Sequence, residues 1–294
     1  MDVRSLSKRW IAPEGRPKPR AAYALPTLFT AGNIFLGFLA IMRSIQGALL
    51  VGGGDTGPNA HFEIAATAIG WAVLLDGLDG LIARLTNTAS EFGREMDSLA
   101  DVISFGIAPA VLAYTWGVQS GVDSAAPAFQ DVLRKIGYFI PFLFLACGAA
   151  RLARFNIQKN PVPKNPGRPD RRYFVGLPIP AAAAMVASIV FALDGAPLVF
   201  WPLTLVWLAL IALLSFLMVS TWRYRSLKDI QLLRPRAPYT MIIAVSVIVA
   251  WWMFTAPLVL AVMTTYIGSG IAVRLGGIVR RRLRRAPEPE REVG

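Results

Sequence analysis

Apolar residues occur along this chain in long stretches without charged residues. In a soluble protein, apolar and polar residues alternate over much shorter distances. A membrane-spanning helix needs about 20 mostly apolar residues. The stretch 64–75 is short but continues through Leu85 if Asp76 and Asp79 are buried, and Pro257 divides the longest stretch into two helices. The uncharged stretches are 21–42, 64–75, 102–122, 136–150, 173–193, 195–222 and 237–273. This pattern predicts an all-α, polytopic membrane helix bundle of about eight transmembrane helices.

Composition supports a membrane protein and excludes some classes of function. Hydrophobic residues make up 55% of the chain and charged residues 16%, whereas soluble proteins have about 25% charged residues. The net charge of +12 therefore favours an anionic membrane face as partner rather than nucleic acid. The single Cys147 allows no disulfide within one chain, and the single His61 cannot supply the histidine pair of phospholipase-D-type transferases.

The distribution of basic residues predicts the orientation of the helices. In an eight-helix arrangement, every Lys and Arg except Arg43, Arg134 and Lys135 falls on the same side of the membrane. Excess basic residues mark the cytoplasmic side, so both termini are expected in the cytoplasm. The predicted segments are a basic amphipathic arm (1–24), a core (25–222), a basic cytoplasmic loop (223–236), two further transmembrane helices (237–273) and a basic, disordered tail (274–294).

Four aspartates next to the second and third predicted helices are the candidate functional residues. Asp76 and Asp79 are three residues apart, and Asp97 and Asp101 are four apart, so each pair lies on one face of a helix. The link from Leu85 to Arg94 is short enough for the two helices to pack antiparallel. All four carboxylates are then expected to meet near the cytoplasmic ends of the helices.

Such a cluster needs compensating positive charge. Insertion scales assign about 2.5–3.5 kcal/mol to one Asp at the centre of a spanning helix, and four carboxylates also repel one another. Arg84 and Arg94 cannot neutralise all four, whereas divalent cations such as Mg²⁺ or Mn²⁺ bind carboxylate and phosphate oxygens. The cluster therefore indicates a two-metal site for phosphoryl displacement. Two simpler interpretations are helix caps or Arg pairs, and the lining of a cation pathway.

The residues around the cluster resemble the signature of the CDP-alcohol phosphatidyltransferases. That signature, D-x2-D-G-x2-A-R-x8-G-x3-D-x3-D, is filled without a gap by Asp76, Asp79, Gly80, Ala83, Arg84, Gly93, Asp97 and Asp101. The resemblance implies a six-helix catalytic core, homodimers and two divalent cations, Mg²⁺ or Mn²⁺.

The resemblance also implies a role for each residue of the signature. Asp76, Asp79 and Asp97 would be metal ligands. Asp101 would be the general base and would also touch a metal. The CDP moiety would be held by Gly80, Ala83, Arg84, Gly93 and Asp79.

Stretches outside the signature resemble the membrane-spanning phosphatidylserine synthases, which transfer a phosphatidyl group from CDP-diacylglycerol to L-serine. They include 25–33, 104–110, 151–156 and 174–180. Relatives that use phosphorylated alcohols tend to have Arg at the position of Asn33, so Asn33 favours an acceptor without phosphate. The enzyme is then expected in a bacterial inner membrane, with its active site facing the cytoplasm.

The identity of the alcohol that accepts the phosphatidyl group leaves several alternatives open. Serine has a carboxylate that needs a cation, and Arg151 and Arg154 share one helix face near the predicted site. One of them is expected to bind that carboxylate, unless both are anchors for the cytoplasmic side or bind lipid phosphate. The alternatives for the whole chain are the same chemistry with glycerol 3-phosphate, inositol phosphate or choline, and a cation transporter.

Overall fold

Apolar helices account for most of the structure. The computed structural model describes residues 21–86, 91–159, 173–220, 223–225, 260–261 and 264–269. Within these residues, five helices are long and apolar enough to span a membrane, and a sixth apolar helix, Ile179–Ala192, is shorter. The chain is therefore a helical integral membrane protein, as predicted. The count of eight helices stays a prediction, because most of 237–273 lies outside the described residues.

The elements follow one another with short connections. The helices are α1 (Ala21–Gly52), α2 (Ala60–Thr86), α3 (Glu91–Asp101), α4 (Ala108–Gly117), α5 (Gln119–Asp123), α6 (Pro127–Lys159), α7 (Ile179–Ala192) and α8 (Trp201–Val219). A π-helical segment, Val102–Ile107, joins α3 to α4. Two short strands, β1 (Tyr173–Val175) and β2 (Arg223–Arg225), pair antiparallel. The predicted arm 1–24 and loop 223–236 lie largely outside the described residues, and the tail 274–294 lies wholly outside them.

The π-helical segment has a cause in the sequence. Pro109 lies at the start of α4. A proline ring clashes with the carbonyl four residues earlier in an α-helix and has no N–H to donate. The preceding turn is wider, and the Ala108 N–H donates to the Ile103 carbonyl, five residues back. The helix therefore continues past the proline, and its wide turn comes immediately after Asp101.

Glycines allow the helices to approach closely. A Cβ on Gly37 of α1 would lie 2.8 Å from the Ser104 Cα in the π-helical segment. A Cβ on Gly148 of α6 would lie 2.6 Å from the Ile179 Cδ1 of α7. Small residues at helix interfaces are typical of membrane bundles, where close packing replaces the hydrophobic driving force. Large apolar side chains such as Phe139 are instead exposed on the outside, where lipid would cover them.

One predicted helix is shorter than its apolar stretch. The stretch 173–193 was expected to be a single helix, but its first residues form β1 and the helix begins only at Ile179. Gly176 has φ of 81°, and its missing Cβ would lie 2.5 Å from the Met218 carbonyl oxygen. Pro178 caps α7 in an extended conformation. The prediction of one helix over 173–193 was wrong because the turn at Gly176 and the pairing of β1 with β2 take up its first residues.

Hydrogen bonds between helices define two ends of the bundle. At one end the Ser104 Oγ donates to the Asn33 carbonyl (2.8 Å), and the Asn156 Nδ2 donates to the Ser98 Oγ (2.8 Å). We call this the acidic end, since it includes residues 76–86, 91–101 and 151–159. At the other end of the bundle, the Asn59 N–H donates a hydrogen bond to the Asp194 carbonyl (3.1 Å).

Candidate active site

Three of the four predicted aspartates meet at the acidic end. Asp76 of α2 and Asp97 and Asp101 of α3 each place one carboxylate oxygen within 4.8 Å of the others. All three are half-buried. Asp97 and Asp101 are one turn apart on α3, and Asp76 joins them from a separate helix. The cluster therefore depends on how α2 and α3 are placed in the bundle.

The fourth aspartate and the predicted nucleotide ligands are only partly described. Asp79 follows Asp76 by about one helical turn, and Gly80, Ala83 and Arg84 continue the same helix. Their side chains lie outside the described residues. Gly93 is half-buried on α3, one turn before Asp97. The backbone thus aligns this part of the signature along the end of α2 and the beginning of α3.

The chemistry of the cluster fits a hard cation. Three carboxylates this close repel one another unless positive charge lies between them, and their half-burial weakens the screening by water. Carboxylate oxygens are the ligands that Mg²⁺ prefers, and Mn²⁺ uses the same donor set. The cluster can therefore hold a divalent cation, with Asp76, Asp97 and Asp101 as ligands.

The two arginines, one of which was expected to bind the serine carboxylate, lie in different environments. Arg151 of α6 is half-buried, and its guanidinium lies within electrostatic range of Asp101. Its Nε is buried and has no hydrogen-bond partner among the described residues. Arg154 is exposed, and its Nη1 lies 3.5 Å from the Val219 carbonyl oxygen, to which it donates. Arg151 is therefore the less exposed of the two arginines, and it interacts electrostatically with Asp101.

Asn33 of α1 is buried against Ser104 in the π-helical segment. It is only 2% exposed, and its backbone carbonyl accepts the hydrogen bond from Ser104. Its side-chain Oδ1 is buried without a hydrogen-bond partner in the described part of the chain. Ser104 comes one turn after Asp101, so this bond fixes α1 against the helix that contains the acidic residues.

Sequence reasoning missed two residues near the site. Ser98 and Asn156 join α3 to α6 through one hydrogen bond, which ties the helix of Arg151 to the helix of Asp101. Both residues lie in or beside stretches that carried the family resemblance, so this signal could have identified them.

The fold and the site define a helical integral membrane protein with a carboxylate cluster that can hold a metal ion. Residues 23–216 match the family model described as CDP-alcohol phosphatidyltransferase. The chain belongs to this family. The matched region covers α2, α3 and the whole acidic cluster.

Similar proteins with assigned names point to one branch of the family. The chain is 38% identical over 210 residues to CDP-diacylglycerol–serine O-phosphatidyltransferase of Helicobacter pylori, covering 71% of this chain and 75% of the relative. It is 30% identical over 167 residues to the Bacillus subtilis protein of that name, covering 57% of this chain and 75% of the relative. It is also 38% identical over 167 residues to archaetidylserine synthase of Methanothermobacter thermautotrophicus, covering 56% of this chain and 57% of the relative.

Proposed function

We propose that the chain transfers the phosphatidyl group of CDP-diacylglycerol to the hydroxyl of L-serine, giving phosphatidylserine and CMP. The observation that carries this proposal is the carboxylate cluster, since Asp76, Asp97 and Asp101 converge within 4.8 Å at positions of the family signature. The names of the relatives support serine as the acceptor.

The proposed metal site uses Asp76, Asp79, Asp97 and Asp101 to hold two divalent cations, Mg²⁺ or Mn²⁺. When bound, such ions stabilise the negative charge that develops on the pyrophosphate as CMP leaves. The cluster supports this assignment, because its three described carboxylates supply hard oxygen ligands close together. The side chain of Asp79 lies outside the described residues, and its role follows from the signature.

The remaining signature residues would orient the nucleotide and move a proton. Gly80, Ala83, Arg84 and Gly93, together with Asp79, would bind the CDP moiety. A serine hydroxyl is a weak nucleophile until its proton is removed, and Asp101 is the proposed base. The serine oxygen bonds to the phosphorus that carries diacylglycerol. The bond from that phosphorus to CMP breaks, and the proton passes to Asp101.

The acceptor would bind between α6 and the cluster. Arg151 supports this placement, because it interacts electrostatically with Asp101 and its Nε is a buried donor. A guanidinium binds a carboxylate with two parallel hydrogen bonds, which suits serine. Arg154 is proposed as a secondary cation that attracts the acceptor. Asn33 is proposed to offer its side-chain amide to the acceptor.

The membrane setting follows from the charge pattern. We propose a bacterial inner membrane, with the acidic end and both termini in the cytoplasm, because most Lys and Arg fall in the segments that the sequence assigns to that side of the membrane. A homodimer is proposed from family membership alone. The proposed core is 25–222, flanked by the arm 1–24, the loop 223–236, the helix pair 237–273 and the tail 274–294.

An acceptor panel tests the proposal directly. Purified protein with labelled CDP-diacylglycerol should release CMP with L-serine, and much less with glycerol 3-phosphate, inositol phosphate or choline. Release with one of these and not with serine would assign a different acceptor to the same chemistry. Divalent metal flux in proteoliposomes without CMP release would instead indicate a transporter.

A further inference from the structure

The helix that contributes two of the three described carboxylates has few buried side chains. Among the side chains of α3 that the structure describes, only Ala100 is buried, whereas Phe92 and Leu99 are 69% and 60% exposed. A helix with few buried apolar contacts is held weakly by packing alone, so its remaining contacts matter more. The position of its two aspartates therefore depends on what else holds α3.

One hydrogen bond joins α3 to the core helix α6. The Asn156 Nδ2 donates to the Ser98 Oγ at 2.8 Å. Ser98 directly follows Asp97 and precedes Asp101 by three residues, so the bond reaches α3 between the two carboxylates. Asn156 follows Leu152 by about one helical turn, and Leu152 is buried in the core. The bond therefore ties the acidic part of α3 to a helix that is fixed in the core.

The Ser98 hydroxyl uses both of its hydrogen-bonding functions in this arrangement. It donates its proton to the Arg94 carbonyl in the preceding turn of α3 (3.0 Å). Its oxygen then accepts the proton of a donor, which the Asn156 amide supplies. Alanine in place of either Ser98 or Asn156 removes this link between α3 and α6 and leaves every carboxylate of the cluster in the chain.

We propose that Ser98 and Asn156 are positioning residues of the metal site, and that their hydrogen bond holds α3 where Asp97 and Asp101 can share a cation with Asp76. This inference rests on the metal site of the proposed function. Neither Ser98 nor Asn156 binds the metal or the substrates in this scheme. Both act through the placement of α3.

Metal affinity reports this placement directly. If the three carboxylates are together in only a fraction of the molecules, the apparent affinity for the metal falls by that fraction. A neutral hydrogen bond changes an equilibrium constant by about two- to tenfold. Loss of the bond between Ser98 and Asn156 should therefore raise the Kd for Mn²⁺ by about that factor.

The test measures Mn²⁺ binding to purified Ser98→Ala, Asn156→Ala and the double variant, from the loss of the free-ion EPR signal. All three should bind Mn²⁺ about equally weakly, because each lacks the same hydrogen bond. Losses that multiply in the double variant would show that the two side chains act separately, and would overturn the inference. Wild-type affinity in both single variants would overturn it as well. Ser98→Ala removes one oxygen only, and it carries the comparison if Asn156→Ala is not recovered folded.

A matched control separates positioning from general stability. The Asn59 Nδ2 donates to the Gly47 carbonyl (3.3 Å) at the other end of the bundle, so Asn59→Ala also removes a hydrogen bond between parts of the fold. It should lower the midpoint of thermal unfolding and leave the Kd for Mn²⁺ unchanged. Equal weakening of Mn²⁺ binding in Asn59→Ala would trace the effect to general destabilisation and overturn the inference.

Activity gives a second measurement. Ser98→Ala and Asn156→Ala should need more Mn²⁺ for CMP release and reach a near wild-type kcat at saturating Mn²⁺, because excess metal favours the assembled cluster. A kcat that stays low at saturating Mn²⁺ would assign the pair another role and overturn the inference.

Failure of the proposed function gives a different result. Wild-type protein that binds no Mn²⁺ contradicts the proposed metal site before any variant is compared, and the inference falls with it. Wild-type protein that binds Mn²⁺ with an affinity insensitive to Ser98 and Asn156 contradicts only the inference.

Discussion

At the scale of single residues, Asp101 differs from the other aspartates of the cluster in its surroundings. It is the last residue of α3, and the wide π-helical turn begins immediately after it. Segments of π-helix occur often at functional sites, because they change the direction of side chains along a helix. Arg151 also lies within electrostatic range of Asp101. These neighbours support the proposal that Asp101 is the base.

Asp101→Asn should reduce turnover far more than it reduces binding of CDP-diacylglycerol. A positioned general base contributes about 10²–10⁴-fold to the rate, and an amide cannot accept the proton. CMP release and binding of labelled CDP-diacylglycerol would be measured on the same purified preparation. Asp123→Asn, on the exposed end of the same helical tract, is the control and should retain full activity. A loss of binding with normal turnover of the bound fraction would rule out the base assignment.

At the scale of secondary-structure elements, contact between α1 and the π-helical segment holds the site together. Gly37 allows α1 to approach Ser104, and Ser104 donates its hydroxyl proton to the Asn33 carbonyl. Both contacts lie one turn from Asp101, so a displacement of α1 would move the cluster. The close approach at Gly37 and the hydrogen bond from Ser104 thus both hold α1 in place next to the site.

Gly37→Ala should lower both stability and activity. The new Cβ would lie 2.5 Å from the Ser104 Oγ and 2.8 Å from its Cα, which is too close without a shift of one helix. Overpacking of this kind costs about 1–3 kcal/mol. The midpoint of thermal unfolding in detergent and the rate of CMP release should both fall.

Gly52→Ala is the matched control for this substitution. Gly52 lies on the same helix, and a Cβ there meets nothing within 4 Å. It should leave both measurements unchanged. A Gly37→Ala protein with wild-type stability and activity would contradict the role assigned to this contact.

At the scale of the whole molecule, the candidate metal ligands and two arginines of α6 lie at the same end of the bundle. The cluster of Asp76, Asp97 and Asp101 lies there, together with Arg151 and Arg154 of α6. Three half-buried carboxylates within 4.8 Å repel one another, and a cation bound between them would offset this repulsion. Metal binding should therefore affect both catalysis and stability.

Removal of divalent metal should abolish CMP release and lower the midpoint of thermal unfolding. Excess Mg²⁺ or Mn²⁺ should restore both, because a ligand that binds only the folded protein stabilises it. The same chelator already loaded with Mg²⁺ is the control and should have no effect. Asp97→Asn should lose the metal-dependent rise in the unfolding midpoint. Full activity in strong chelator would rule out the metal site.

The sequence by itself determined the class of protein and the composition of its site. Long uncharged stretches require a membrane, and the eight fixed positions from Asp76 to Asp101 identify the family, because both signals are local in the sequence. The tertiary structure decided the shortened α7 and the different environments of the half-buried Arg151 and the exposed Arg154. These depend on contacts between residues far apart in the chain, such as Gly176 with Met218, and no local periodicity encodes such contacts.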